Sequence, residues 1–371
     1  MKKLNIFLSV LIALSLNAQE NIKYQKPSDE ILNLVEFDRP PSVLYDDEKN
    51  YMVFLYRNNY KSISDLSEKE LRLGGLRINP KTNIGSRVTY YNNVKVKNLK
   101  DKKGQTEQVI GIPENAKLTN FSWSPDQTKI ALTNTTSEGV ELWLLTLKTG
   151  YVTKLTAPEL NANIGSAITW NTDSQLMFVK MLSPNKQPLI DTKSVVPNGP
   201  TVSTNFGAKA QNRTYQDLLK NKFDEHNFEQ LSTSTIFKVS INGESEKWLD
   251  EAMYRGISLS PDGKYVMVTQ LKKPFSYLVT YSRFPSQTDI YTNKGELVTN
   301  LLDTPLIEEL PKGRMSTRTG KRSYSWRPDQ PSTLIYVQAL DQGDPAIKTE
   351  YRDEVFEIAA PFNGEGKSLV K

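Results

Sequence analysis

A recurring hairpin narrows the folds open to this chain. Its clearest copy is Phe121-Ser122-Trp123-Ser124-Pro125-Asp126-Gln127-Thr128-Lys129-Ile130-Ala131-Leu132-Thr133. Pro125 presets φ for a turn, and Asp126 can bond back to the turn backbone. Ile130 and Leu132 then alternate with Lys129, Ala131 and Thr133, the period of a strand. Further copies run over Ile257–Val268, through Ser260-Pro261-Asp262-Gly263, and over Tyr324–Val337, through Arg327-Pro328-Asp329. Ile168–Val179 is a worn copy without its proline. A hairpin returning every 45 to 90 residues or so, roughly, predicts an all-β chain of the β-propeller class.

The 371 residues suffice for one large all-β domain. The net charge is +5, but Lys and Arg are interspersed with Asp and Glu. No basic stripe argues for nucleic acid. Cysteine is absent, which excludes disulfides and thiolate metal sites, and the single histidine, His226, removes most zinc sites. Neither a cofactor nor a metal is expected. At the N-terminus Lys2 and Lys3 precede an uncharged apolar run, Leu4 to Leu16, and Ala18 offers a small residue for cleavage. This predicts a secretory signal peptide over 1–18, an extracytoplasmic location and no transmembrane segment once it is removed.

Residues 19–41 read as a leader, mildly helical until Arg39-Pro40-Pro41, and 42–371 as the propeller domain. About five blades can be traced. Ser42–Tyr45 and Tyr51–Arg57 open the first. A short helix within Ser62–Leu71, capped by Ser64 or Asp65, interrupts it before Gly74–Pro80 returns to strand. Leu118–Thr156 is the second and cleanest. The third begins near Ile164 and carries a helical insertion at about 205–230, where Tyr215, Leu218, Leu219 and Phe223 fall at helical spacing. The fourth covers Ala252–Leu302, with Tyr277-Leu278-Val279 as a strand. The fifth runs from Lys321 to Ile358, and Gly364–Lys371 looks like a turn and the beginning of another strand. The early stop predicts an incomplete propeller, part of a larger one.

Arg213-Thr214-Tyr215-Gln216-Asp217-Leu218-Leu219-Lys220-Asn221, with Asp224-Glu225 after it, resembles a signature of the prolyl oligopeptidase superfamily in its glutamyl endopeptidase branch. So do Leu73–Pro80, Lys273–Val279 with Ser282-Arg283-Phe284-Pro285, and Ala339–Pro345. The resemblance covers nearly all of the mature chain. It implies an N-terminal propeller that gates peptide access to an α/β-hydrolase domain bearing a Ser, Asp and His triad. This chain has no Gly-x-Ser-x-Gly nucleophile elbow, so no catalytic residue carries over, and it is expected to be inactive alone. The implied partners are a peptide substrate and a hydrolase domain.

Glutamyl specificity, as the resemblance implies it, needs cations that pair with a side-chain carboxylate, and arginine is best suited. Arg213, Arg283, Arg318 and Arg322 form the shortlist of substrate-binding residues. The turn residues Asp126, Asp262 and Asp329 read as turn stabilisers before metal ligands. Trp123, Trp170 and Trp326, at equivalent hairpin positions, read as blade packing. His226, beside Asp224, Glu225 and Asn227, reads as a solvated helix end. The alternative function is a stand-alone binding propeller similar to TolB-like periplasmic scaffolds.

Overall fold

The computed structural model describes residues 26–101, 103–191, 194, 199 and 214–371. The signal-peptide reading lies outside the described residues. The chain divides into Met1–Pro40 and Pro41–Lys371. In the first unit the described helix is α1, Asp29–Val35, with Asp29 and Glu30 in the first turn, where the helix dipole favours negative charge.

The second unit is built of antiparallel sheets, most of them four-stranded. The first joins β1 (Ser42–Tyr45), β2 (Tyr51–Tyr56), β6 (Asn93–Asn98) and β7 (Glu107–Gln108). Between β2 and β6 it carries helix α2 (Ile63–Ser67) and a small sheet of β3 (Leu71–Leu73), β4 (Leu76–Asn79) and β5 (Ile84–Gly85). The strand expected within Gly74–Pro80 is β4 of this inserted sheet, and β6 and β7 complete the first blade. The cap of α2 is Ser62, which forms a reciprocal capping box with Asp65.

The second sheet follows chain order through β8 (Leu118–Trp123), β9 (Lys129–Thr135), β10 (Val140–Thr146) and β11 (Tyr151–Lys154). Next comes a seven-stranded sheet of β12 (Ile168–Trp170), β13 (Leu176–Leu182), β14 (Ser234–Ser240), β15 (Ser245–Leu259), β16 (Tyr265–Leu271), β17 (Ser286–Thr292) and β18 (Leu297–Thr304). It is two four-stranded blades that share one strand. Ser245–Ala252 of β15 pairs with β14, and Met253–Leu259 pairs with β16. The fifth blade is β19 (Lys321–Trp326), β20 (Thr333–Ala339), β21 (Asp353–Ala359) and β22 (Lys367–Val370). The five blades read from the hairpins are thus present.

Two sequence expectations are corrected. Residues 277–279 are loop, because Pro274 and Pro285 bracket a stretch without a partner strand, and β17 supplies the blade's third strand. Lys367–Val370 is the further strand expected within Gly364–Lys371, and it completes the fifth blade by pairing with β21. The helical insertion is α3, Lys222–Ser232, capped by the Asn221 side chain, and residues 214–221 are not helical. Tyr215 and Leu219 have the right spacing but pack into a tertiary cluster from an irregular segment. Residues 205–213 of that reading lie outside the described ones.

Apolar faces join neighbouring sheets. Val53, Leu55, Val94 and Val96 of the first meet Leu118, Ile130 and Leu132 of the second. Leu142 and Leu144 of the second meet Ile168, Met177 and Val179 of the third. Phe178 and Ile236 meet Val266 and Val268, and Ile290 meets Leu334 and Tyr336. The repeat also places polar staples. The Trp170 indole donates to the Ser122 carbonyl at 3.0 Å, and the Trp326 indole to the Ser258 carbonyl at 3.2 Å. Each bond runs from one hairpin to the equivalent strand of the preceding sheet. Trp170→Phe and Trp326→Phe are each expected to lose about 1 kcal/mol, additively, in urea unfolding. Strong coupling between the two would contradict independent staples.

The hairpin turns also link neighbours. Asp126 N–H donates to Ser174 Oγ at 3.0 Å, and Asp262 N–H to the Pro331 carbonyl at 3.1 Å. Ser124 and Ser260 hydroxyls donate to the Asp126 and Asp262 carboxylates within their own turns, and Asp329 pairs with Arg327. The turn reading of these aspartates is the one the geometry supports. Among the described residues, no group of three or more His, Cys, Asp or Glu could hold a metal ion.

Candidate functional site

In every sheet the connection between the second and third strands leaves from the same end. These connections are 57–92, 136–139, 183–233, 272–285 and 340–352. Four are long. The stretches that carry the family resemblance fall on those four, apart from Ala339, the last residue of β20. One end of the blades is therefore built from the distinctive sequence, and the other from generic turns.

Three of the long connections knit together. Gly75 N–H donates to the Asp217 carbonyl at 2.8 Å, and Arg77 Nε donates to Asp217 Oδ2 at 2.5 Å. Tyr281 N–H donates to the Gly74 carbonyl at 2.7 Å. Gly75 has φ +90°, and a Cβ there would lie 2.7 Å from Thr280 Cγ2, so glycine is required for this close approach. Below these bonds lies a core of Leu73, Ile78, Leu219, Leu231, Val279 and the fully buried Phe228. The Phe228 ring meets Phe275 and Phe284 edge-on, with centroids 5.1 and 5.5 Å away. At its margin the Tyr277 hydroxyl donates to Glu225 at 2.5 Å; burial and that carboxylate push the phenol up to about 12. Lys273 pairs with Glu229 at 2.8 Å.

The shortlisted arginines are not gathered in one place. Arg213 lies outside the described residues. Arg283 ends a short 3₁₀ turn, Tyr281–Arg283, with its guanidinium 5.4 Å from the centre of the Tyr215 ring. Its Nη1 is buried without a hydrogen-bond partner. Arg318 and Arg322 lie together at the fifth sheet. Arg318 donates to the Thr319 and Lys321 carbonyls, while Arg322 Nη2 pairs with Asp353 at 2.6 Å and its Nη1 is buried without a partner. Burial and the nearby Arg322 charge lower the Arg318 pKa from its ordinary value. His226 is not a helix end: it sits mid-helix in α3, half-buried, with Nε2 3.0 Å from the Pro188 carbonyl.

Sequence reading missed the buried ion pairs that fix these connections. Asp341, fully buried, accepts from Arg352 Nε at 2.5 Å and from Gly343 N–H at 2.8 Å. The pattern Asp341-Gln342-Gly343 carried a usable signal, an aspartate whose side chain can bond two residues on. Asp217 gave no such sign, because its partner Arg77 is far away in sequence.

No family model matches the chain. It is 34% identical over 360 residues to the "Probable glutamyl endopeptidase, chloroplastic" of Oryza sativa subsp. japonica, covering 94% of this chain and 38% of that protein. It is 31% identical over 354 residues to the Arabidopsis thaliana protein of the same description, covering 92% of this chain and 36% of the other. The chain thus spans little more than a third of the relatives it matches. Among solved structures it is similar to a Pyrococcus horikoshii acylaminoacyl peptidase (TM-score 0.41, 15% identity, 90% of this chain and 39% of that one). It is also similar to Porphyromonas gingivalis dipeptidyl peptidase 4 (TM-score 0.41, 11% identity, 88% and 46%).

Proposed function

We propose that this chain, a relative of the glutamyl endopeptidases over nearly its whole length, is the propeller portion of an extracytoplasmic serine peptidase. It gates peptide access to a hydrolase domain. The observation that carries the reading is the pairing of 94% coverage of this chain with 38% coverage of the rice relative. The motif-bearing connections at one end of the blades are the surface offered to that domain. Arg318 and Arg322 are the best-placed pair for a substrate carboxylate, since two guanidiniums side by side favour an incoming anion.

The outer face of the first sheet supports a partial propeller over the stand-alone TolB-like scaffold. Val43 and Tyr45 are 36% and 51% exposed there, on the side away from the second sheet. A closed scaffold would bury that face.

Two measurements test the proposal. The coding DNA after Lys371 is expected to contain a hydrolase-type frame with a Gly-x-Ser-x-Gly elbow and a later histidine; an unrelated gene would move the scaffold reading to first place. The purified chain alone is expected to resist labelling by a fluorophosphonate probe. Stoichiometric labelling of a serine in this chain would overturn the non-catalytic assignment.

A further inference from the structure

A cavity of about 770 Å³ lies between the inserted segment that follows β2 and the second sheet. A second, of about 430 Å³, adjoins it and shares Glu68, Asn79, Tyr90, Asn115 and Lys117 with it. Lys117 forms the partition. Its Nζ is 2.7 Å from Asp65, 3.4 Å from Glu68 and 5.7 Å from the centre of the Tyr90 ring. The result is a two-chambered groove suited to a short chain molecule.

The groove's charges are largely neutralised from within. Five cations, Arg57, Lys61, Lys69, Lys81 and Lys117, line it beside four carboxylates, Asp65, Glu68, Glu114 and Glu141. Glu141, its side chain 8% exposed, accepts from Lys154 at 2.5 Å, from Trp143 Nε1 at 2.8 Å and from Asn134 Nδ2 at 3.1 Å. Lys81 reaches 3.9 Å from Glu138. An anionic ligand would gain little from so balanced a surface. Among the described lining residues the wholly apolar side chains are Pro113, Ala116 and Trp143, which join the tyrosines in giving the groove apolar surface.

Neutral hydrogen-bonding groups and phenol rings remain. Asn115, Thr136 and Ser137 line the groove, and the buried Thr82 hydroxyl has no hydrogen-bond partner. Tyr60, 66% exposed, stands in the second chamber, and Tyr90 belongs to both. Amides and hydroxyls match sugar hydroxyls as donors and acceptors alike, and aromatic rings offer a face to sugar C–H groups. We propose that this groove binds a neutral oligosaccharide. None of the four shortlisted arginines lines the groove, but Asn79 and much of the 57–92 connection do, so the groove opens on the end of the blades that the proposed function offers to the hydrolase domain.

The test is calorimetry and saturation-transfer NMR on the full chain with maltotriose, triacetylchitotriose and the peptide Gly-Ala-Glu-Ala. At least one trisaccharide is expected to bind saturably. Tyr60→Ala, on the surface, or Ser137→Trp, which fills the first chamber's rim, is expected to weaken binding about tenfold with unchanged circular dichroism. Three results would overturn the assignment: neither trisaccharide binds, binding is equal in wild type and both variants, or the peptide alone binds.

Discussion

Lys180→Met is expected to stabilise the protein at pH 7 by about 2–4 kcal/mol, read from urea unfolding. Lys180 lies on β13, 2% exposed, on the face turned to the fourth sheet with Phe178. Its ammonium donates to the Ile164 carbonyl. Burial lowers its pKa from 10.5 to about 7. The unfolded chain therefore holds a proton that the folded chain gives up between those values. The penalty is absent above pH 10.5, grows as the pH falls and is complete below about 7. At 1.36 kcal/mol per pH unit that interval sets an upper bound of about 5 kcal/mol. Wild-type stability should accordingly rise from pH 7 towards 10, and the methionine variant should lose that slope. Equal stability of the two proteins across this range would mean that the ammonium is solvated in the folded state.

The second large effect is expected from Phe228→Ala, at about 3–5 kcal/mol. The ring is wholly buried, and it is the point where α3, the inserted strands after β2 and the loop before β17 meet. A Cβ on Gly74 would already sit 3.3 Å from it. Its cluster is distinct from the apolar seams between sheets. The loss should therefore be local. In hydrogen exchange, amides of 71–79 and 222–232 should lose protection while those of β9 and β10 keep theirs. Uniform loss across all sheets would show that the insertions support the blades as well as decorate them.

The blades were legible because their information is local. A turn such as Ser260-Pro261-Asp262-Gly263 and the alternation after it lie within a dozen residues or so, about one hairpin. The equivalence of Trp170 and Trp326 was visible for the same reason, and their indoles do serve the packing between blades. The insertions were legible only in outline: α2 and α3 lie in the stretches read as helical, but what they pack against does not show in the sequence. Tyr215 and Leu219 obey helical spacing but answer to Phe228, Phe275 and Arg283, which reach them from other connections. Tyr277-Leu278-Val279 has strand composition and no neighbour to pair with. The arginines were flagged by residue type and resemblance. Only the fold could part Arg283 from Arg318 and Arg322, because that depends on which sheet each connection leaves.

For a fold made by copying a hairpin unit, the seams between copies decide what heredity can alter. Between the fourth and fifth sheets the chain passes through 305–320, a stretch outside the strands where residues can be gained or lost. Between the third and fourth there is no such slack. Ala252 and Met253 are consecutive in β15, whose register shifts against β14 between Ser234 and Ile236 and between Ile236 and Phe237, and against β16 between Tyr254 and Gly256. One added residue at that junction would invert every side chain of one half relative to the other. A change in residue number there has no loop to absorb it and would have to be taken up within the strand, as the existing bulges are, so it would disturb the pairing of both blades at once.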